Sequence, residues 1–238
     1  MLKKRGFGMA AALIAVMLVG ALSFGLVGCD NGTTGGNGGG GENNSFVPEY
    51  QLGDTGPGGG IIFYIADGQD SRPLGFTVKM ANAAENYTAH YLEAAPNDAP
   101  NFYSWATSGY TSTFIPGMYE TKLDNIDMGN GRRNTALILA SDIYAPAALA
   151  CKNTTSGGKN DWFLPSSEEL LQLQRHYQAN GKGTYAGLEL DGWYWSSSQS
   201  NANFAQHRFM NTGIDGNFAK SSSNSRNKQG LVRAIRAF

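Results

Sequence analysis

The stretch Asp161–Leu173 constrains the fold of this chain most strongly, because it predicts a strand, a corner and a helix in immediate succession. Its Trp-Phe-Leu run shows no polar alternation, which is typical of a buried strand end, and Pro165 ends that strand. Ser166 and Glu169 have the spacing of a capping box at a helix start. We therefore expect a helix over residues 166–178, with an apolar face formed by Leu170, Leu173 and Tyr177.

Further strands are indicated by β-branched and aromatic runs bounded by turn residues. A glycine-rich turn at residues 53–60 precedes a strand at 61–65, and residues 91–95 predict another strand that ends at Pro96. A glycine-rich turn before a strand is not the helix-start arrangement that binds phosphate, so we do not expect a nucleotide site there. The last third of the chain predicts strands at 193–198, 204–210 and 231–238.

The middle of the chain predicts a long loop followed by a broken helix. Residues 97–133 form an irregular segment whose aromatic residues suggest that it is packed down. Asn134 is the expected N-cap of a helix that begins at Thr135. Pro146 interrupts that helix, so we expect two pieces, 135–143 and 146–151. Together the elements predict an α+β fold: two main helices against a small, mostly antiparallel sheet, rich in loops.

The N-terminus has the pattern of a bacterial lipoprotein. Residues 1–28 combine a basic start with an apolar run, as in a signal peptide, and end in Leu-Val-Gly before Cys29. We predict that Cys29 becomes the lipid-bearing N-terminus; the alternative is a plain transmembrane anchor. Residues 29–45 are Gly- and Asn-rich and predict a flexible tether, which leaves 46–238 as a single domain. The expected location is the cell envelope, anchored by lipid to a bacterial membrane, on the outer surface or facing the periplasm.

Charge is distributed unevenly along the chain. Residues 193–238 carry six Lys or Arg side chains and one acidic side chain, Asp215, whereas the rest of the domain is acidic. A basic terminal lobe can bind an anionic partner, or it can balance the acidic part of the same domain. Both alternatives are open at this point.

The sequence predicts no catalytic centre. The lone domain cysteine, Cys151, lies in an alanine-rich helix end that favours burial. Of the histidines, His176 is expected at the surface and His207 as a buried, hydrogen-bonded ring. Asp124, Asp127 and Asn130 offer oxygen ligands for a structural calcium ion, but their spacing is not that of a calcium loop, so no cofactor is expected.

Six segments, in this order, resemble the family of the Legionella collagen-like adhesin C-terminal domain. They are residues 53–64, Tyr91–Pro96, Asn134–Thr135, Asp161–Leu170, Tyr194–Ser198 and Val232–Phe238. The resemblance implies a C-type-lectin-like fold of the variant shared with formylglycine-generating enzymes. It also implies an adhesin-like role, since the named adhesin is associated with sulfated glycosaminoglycans and some relatives carry a hypervariable C-terminal binding segment. The chain departs from the family at Pro146 and over residues 77–90, and it lacks a glutamate-proline-asparagine calcium-sugar motif.

We therefore predict a non-catalytic module that binds a glycan or a protein, with no nucleic-acid partner. The alternatives are a structural envelope protein without a small ligand, and an enzyme of the formylglycine-generating fold, whose chemistry needs a cysteine pair that the domain lacks. Polar residues late in the chain suit adaptable recognition, and Trp195 is suited either to stack on a sugar ring or to fill the core. The predicted ligand-binding residues are Trp195, Gln199, Asn201, Asn203, Asn217, Lys220, Asn224, Arg226 and Lys228.

One internal prediction concerns Arg233 and Arg236. Their spacing of three positions places them on opposite faces of a regular strand, so one of them should point inward. A buried guanidinium needs a partner, and Asp161 or Glu169 is the expected one.

Overall fold

The computed structural model of this 238-residue chain describes residues 46–118, 125–180, 188–189, 191–221 and 230–238. These residues all belong to one unit that spans Asn44–Phe238. None of the helices in the described ranges is long and apolar enough to span a membrane. The proposed signal peptide, Cys29 and the tether lie outside the described residues.

The secondary structure consists of short strands, a 3₁₀ turn at Ala83–Glu85 and three α-helices in the described residues. The strands are β1 (Ile61–Ile65), β2 (Phe76–Val78), β3 (Tyr87–Ala89), β4 (Tyr91–Ala94), β5 (Trp193–Gln199), β6 (Phe204–Phe209), β7 (Asp215–Ala219) and β8 (Ile235–Ala237). The helices are α1 (Gly131–Ser141), α2 (Pro146–Lys152) and α3 (Ser167–Asn180).

All strand pairs in these sheets are antiparallel. The sheets have the orders β1-β4-β8, β2-β3 and β5-β6-β7. The chain is therefore α+β with three helices and small antiparallel sheets, as the sequence predicts at this level. The last predicted strand is shorter than expected, because only Ile235–Ala237 pairs regularly, whereas Leu231 makes an isolated bridge to Tyr194.

The glycine-rich turn before β1 wraps a buried carboxylate. Glu93 of β4 accepts hydrogen bonds from the backbone N–H groups of Gly58, at 2.9 Å, and Gly60, at 2.8 Å. A Cβ atom on Gly60 would lie 1.8 Å from the carbonyl oxygen of Ala94. The glycines are thus required for close approach to β4 rather than for binding phosphate.

The two C-terminal arginines are both buried and paired. Arg236 donates to both carboxylate oxygens of Asp161, at 2.8 and 3.1 Å, and to Glu93 at 3.1 Å. Arg233 donates to Asp98 at 2.6 Å. The predicted pairing with Asp161 is confirmed, but the prediction that only one arginine points inward is wrong, because Arg233 precedes the regular strand β8.

The Asp161–Leu173 stretch connects the β1-β4-β8 sheet to α3. Its predicted strand is reduced to a single bridge between Phe163 and Ile235. The capping box is confirmed: the Ser166 N–H donates to Glu169 Oε2 at 2.7 Å and the Glu169 N–H donates to Ser166 Oγ at 3.3 Å. Glu169 Oε1 also accepts from the Gly129 N–H, so this buried carboxylate joins the start of α3 to the segment that leads into α1.

The helix break at Pro146 is confirmed, but α1 begins earlier than predicted. It starts at Gly131, with Asn130 at the N-cap position, so the prediction that Asn134 caps the helix is wrong. The Asn134 side chain instead donates from inside the first turn to the carbonyl oxygen of Asn125 at 2.7 Å. Pro146 occupies the first position of α2, where a missing N–H costs nothing.

Two main apolar clusters fill the described domain. One includes Phe63, Phe163, Leu173, Tyr194 and Ile235, and therefore joins the β1-β4-β8 sheet to α3. The other is formed around Trp105, Trp162, Trp195 and the buried Cys151, where the long loop packs against α2 and β5. One face of the β5-β6-β7 sheet therefore packs on the second cluster, and β6 and β7 carry residues exposed at the surface.

Candidate functional site

Three of the predicted ligand-binding residues lie exposed at one end of the β5-β6-β7 sheet. Asn201 and Asn203 lie in the turn between β5 and β6, and Asn217 lies on β7. The Asn201 side chain accepts from the backbone N–H groups of Asn203 and Phe204, which fixes the turn. Ser200 donates from its hydroxyl to the side-chain oxygen of Asn217, so the turn and β7 form one continuous surface.

Gln199 and Lys220 do not belong to this surface, and the prediction that they are exposed is wrong. Gln199 is 1% exposed and Lys220 is fully buried. The Lys220 ammonium donates to the carbonyl oxygen of Thr113 at 2.7 Å and to Gln199 Oε1 at 2.8 Å, and it lies 4.7 Å from the ring centroid of Trp105. Burial lowers the pKa of Lys220 to about 8. Both side chains hold the long loop onto the sheet.

Trp195 is fully buried, so of its two predicted roles the structure favours the core. Its indole N–H donates to the carbonyl oxygen of Tyr103 at 2.8 Å, and its ring belongs to the second apolar cluster. A sugar ring has no access to it in this structure. Asn224, Arg226 and Lys228 lie outside the described residues, as does Asp124 of the calcium proposal.

A polar groove of about 290 Å³ lies between the β6–β7 face and the start of α3. Gln206 faces Asn217, and Arg208 faces Asp215, across the β6–β7 pairing. Because residues two apart on a strand share a face, these four side chains line one side of the groove. Ser167 and Glu168 from α3, together with Ile126, Asp127 and Leu171, line the other side.

The electrostatics of the polar groove are dominated by one ion pair and surrounding carboxylates. Arg208 donates to Asp215 Oδ2 at 2.9 Å and to the carbonyl oxygen of Gly213 at 2.9 Å. Burial lowers the pKa of Arg208 and raises the pKa of Asp215, and the arginine charge opposes that rise. Glu168 accepts from the Gln172 side-chain amide at 2.7 Å, lies 4.0 Å from the Arg175 guanidinium, and leaves part of its carboxylate at the surface. The groove therefore offers amide and hydroxyl groups with a net acidic border.

Sequence reasoning missed most of the polar groove. Gln206 and Arg208 have the period-2 spacing of a strand face, which was a usable signal. Their juxtaposition with Asp127 and Glu168 depends on how α3 packs against the sheet, and no local pattern encodes that. The residues of the groove that were not among the predicted ligand-binding residues are Ile126, Asp127, Ser167, Glu168, Leu171, Gln206, Arg208, Asp215 and Gly216.

The opposite face of the same sheet is aromatic. The Trp193 ring centroid lies 4.3 Å from that of His207, 5.0 Å from that of Phe209 and 5.4 Å from that of Phe218. Burial lowers the pKa of His207 to about 3, so the ring is neutral. The prediction that it is buried is confirmed, but neither ring nitrogen meets a hydrogen-bond partner in another described residue. The histidine thus packs as an aromatic ring.

The remaining reactive side chains are scattered. Cys151 is fully buried, and burial raises the pKa of its thiol, as is usual for a structural cysteine. His90 stacks on Phe46 at a centroid distance of 4.0 Å. His176 is buried rather than at the surface as predicted, since α3 turns it toward the domain. Within the described ranges no group of three or more His, Cys, Asp or Glu side chains is placed to hold a metal ion.

No protein-family model and no curated protein matches the chain. Among solved structures, the crystal structure of a fimbrial protein from Bacteroides ovatus is similar, with a TM-score of 0.50 at 15% sequence identity. The match covers 75% of this chain and 44% of the fimbrial protein, so the chain spans less than half of that protein's length. At this level of identity the likeness concerns the fold.

Proposed function

We propose that this chain is a cell-envelope lipoprotein that displays a non-catalytic, C-type-lectin-like binding domain for a glycan. The polar groove and the adjoining turn of Asn201 and Asn203 form its contact surface. The protein is held at the membrane by a lipid on Cys29, and residues 30–45 give the domain reach. The predicted protein ligand remains the alternative occupant of the same surface.

The observation that carries the proposal is the lining of the polar groove. Asn217 and Gln206 offer side-chain amides from strands, Glu168 offers a carboxylate from the start of α3, and Asp127 offers one from the turn segment before α1. Neutral sugars are recognised through hydroxyl groups that donate to carboxylates and accept from amides. A groove with both kinds of group, fixed by a sheet and a helix start, suits that pattern.

The fold supports a binding module of the C-type-lectin-like kind. The first strand, β1, and the last strand, β8, both pair with β4, so the two ends of the described domain contribute to one sheet. The long loop between β4 and α1 packs on the β5-β6-β7 sheet, whose strands β6 and β7 carry the polar groove. A likeness to a fimbrial protein is in keeping with a role at the cell surface.

Charge favours a neutral ligand over a sulfated one. Of the six basic residues between 193 and 238, the four described ones are engaged: Arg208, Arg233 and Arg236 in ion pairs and Lys220 in the core. Internal charge balance, the second of the two alternatives, therefore accounts for the described part of this lobe. The border of the polar groove is acidic, which would repel sulfate groups.

A glycan array tests the proposal. The same set of printed glycans is probed with the wild-type chain, the Asn217→Ala variant and the Gln206→Ala variant. We expect selective binding of neutral glycans by the wild type and a loss of about tenfold in affinity for each variant, the effect of one lost hydrogen bond to a bound polar group. Asn101→Ala, at an exposed asparagine outside the groove, is the control. Retention of no glycan would favour the structural-protein alternative.

A further inference from the structure

A second cavity, of about 470 Å³, lies between α1, the loop at residues 80–85 and the Asp161–Phe163 segment. It shares no lining residue with the polar groove. Its volume is within the range of sites that hold small molecules. An occupant of this cavity would therefore be independent of the glycan proposed for the groove.

The cavity lining combines six apolar residues with six polar or charged ones. Trp162 and Phe163 lie at its base and are nearly buried, and the Trp162 indole N–H is satisfied by the carbonyl oxygen of Lys159 at 3.1 Å. Met80, Ala136 and Leu139 also belong to the apolar lining. Because Trp162 and Phe163 are each only 2% exposed, they form the buried base, and the more accessible Met80, Ala136 and Leu139 present the apolar surface that suits a hydrocarbon or aromatic body.

Arg132 lines the same cavity as a cation without a carboxylate partner. Its Nη1 donates to the Tyr87 hydroxyl at 3.0 Å, and its guanidinium carbon lies 5.7 Å from the Tyr87 ring centroid. Tyr87 in turn donates to the carbonyl oxygen of Ala237 at 3.1 Å, so the arginine is held in place. Among the described residues no carboxylate comes within 4.0 Å of it.

Asp161, which lines the same cavity, attracts Arg132 without bonding to it: against the effect of burial, the Arg236 hydrogen bonds and the charges of Arg236 and Arg132 lower the pKa of Asp161. Both carboxylate oxygens of Asp161 are engaged by Arg236, at 2.8 and 3.1 Å. Lys152, at the end of α2, is an exposed second cation on the lining and forms no ion pair with the described residues. Glu85, on the loop side, accepts from Asn82 at 3.0 Å and adds one negative charge, which disfavours a ligand with two anionic groups.

We propose that this cavity binds a small monocarboxylate with an apolar body. The carboxylate would pair with the Arg132 guanidinium, whose planar set of donors matches two carboxylate oxygens. The apolar body would lie on Met80, Ala136 and Leu139, above the buried rings of Trp162 and Phe163. Lys152 would add attraction at the rim, and Tyr87 would act as the positioning residue for Arg132.

The test is calorimetric titration of the full-length chain with phenylacetate, and with phenylacetamide as the neutral isostere. We expect saturable binding of one phenylacetate, and binding of phenylacetamide weaker by about tenfold or more, because a charge-assisted pair in a partly buried site is lost. Equal affinity for the two probes, or no phenylacetate binding at about 10 mM by the folded wild type, would overturn the proposal.

Two neighbouring arginines give a matched pair of variants. Arg132→Gln should weaken phenylacetate binding by about tenfold or more, whereas Arg133→Gln should leave it unchanged, since Arg133 donates to the carbonyl oxygen of Gly117 outside the cavity. Ala136→Phe keeps the arginine and fills the cavity from an exposed helix position, so it should abolish binding in a folded chain. Wild-type affinity in either Arg132→Gln or Ala136→Phe, or an equal loss in Arg133→Gln, would contradict the assignment.

Discussion

At the residue scale, two fully buried glutamates each collect backbone N–H groups from segments that are distant in sequence. Glu93 binds the glycine-rich turn before β1, and Arg236 neutralises it. Glu169 binds the Gly129 N–H from outside its helix as well as the Ser166 N–H within its capping box. A buried carboxylate is tolerated only when such donors surround it, so these side chains fix both segments in place.

The first prediction concerns the close approach of Gly60 to β4. Gly60→Ala should lower the free energy of unfolding by about 2–4 kcal/mol, because the new Cβ would meet the Ala94 carbonyl oxygen and force the turn away from Glu93. Urea unfolding followed by tryptophan fluorescence measures this. Gly109→Ala is the matched control, since a Cβ there meets no atom within 4 Å, and its unfolding free energy should change by less than about 0.5 kcal/mol.

The second prediction concerns pH and Glu169. Burial raises its pKa to about 7 from the ordinary value of 4.5, although the N–H groups of Ser166, Gly129 and Gly131 oppose the rise. The folded state then holds a proton that the unfolded state has released, so the contribution of Glu169 is fully present below pH 4.5 and is lost as pH rises through 7. From pH 5 to pH 8 it should cost about 2–3 kcal/mol.

Unfolding of the wild type and of Glu169→Gln at pH 5 and pH 8 isolates that contribution. The wild type should lose about 2–3 kcal/mol more than the variant between the two pH values, because glutamine does not titrate and other groups cancel. An equal change in both proteins would show that Glu169 ionises normally when folded.

Sequence reasoning was reliable at this scale where the pattern is local, and it failed where a polar residue serves a distant backbone group. The Ser166–Glu169 capping box was predicted, because both partners lie within one helical turn. Gln199 and Lys220 were taken as exposed because they are polar. Their partners, Ile115 and Thr113, are far along the chain, and only the fold brings them together.

At the element scale, the long loop after β4 is held against the β5-β6-β7 sheet by hydrogen bonds that involve side chains. The Trp105 indole N–H donates to the carbonyl oxygen of Ser196 at 2.9 Å, and the Ile115 N–H donates to Gln199 Oε1 at 3.1 Å. Lys220 adds its own bond to Thr113. These contacts make the described part of the loop a packed layer that supports the sheet beneath the polar groove.

The third prediction follows from this attachment. Gln199→Ala removes the acceptor of the buried Ile115 N–H, which is left unpaired at a cost of about 1–3 kcal/mol. It also removes one acceptor of the Lys220 ammonium, which keeps its bond to the carbonyl oxygen of Thr113. Amide hydrogen exchange should become faster across residues 105–118 in the variant. Asn203→Ala, on an exposed side chain of the adjacent turn, should leave this exchange unchanged; similar rates in both variants would refute this attachment.

The sequence predicted which strands and helices exist more reliably than it predicted where they begin and end. Strands are present at 61–65, 91–94 and 193–199, within one residue of the predicted 61–65, 91–95 and 193–198, because β-branched and aromatic runs are bounded by clear turns. The Phe163 segment pairs through one bridge only, and α1 begins at Gly131 rather than Thr135. Glu169 binds the Gly129 N–H just before α1, and Arg236 binds Asp161 beside Phe163; a local pattern does not contain these tertiary contacts.

At the scale of the whole molecule, the described domain neutralises its C-terminal arginines with its own carboxylates. It leaves a polar surface on the β5-β6-β7 sheet. Arg233 pairs with Asp98 and Arg236 with Asp161, each across a long stretch of chain. The described basic residues of the C-terminal part are therefore engaged within the domain. The polar groove arises from the β6–β7 register and the packing of α3, which is why only Asn217 of its lining was foreseen.

The fourth prediction tests the membrane attachment. Cys29→Ser should move the chain from the membrane fraction to the soluble fraction, because the acyl chains supply the hydrophobic anchor at about 0.8 kcal/mol per buried methylene. Cys151→Ser is the matched control and should stay in the membrane fraction, since that thiol is buried in the domain. Membrane retention of Cys29→Ser would instead support a plain transmembrane anchor.

The most direct measurement of the binding account is amide hydrogen exchange of the full-length chain with and without its best glycan from the array. The account predicts slower exchange in peptides that contain the β6–β7 pair and the start of α3, with no change around the Arg132 cavity. Protection confined to other parts of the domain, with the polar groove unaffected, would contradict it.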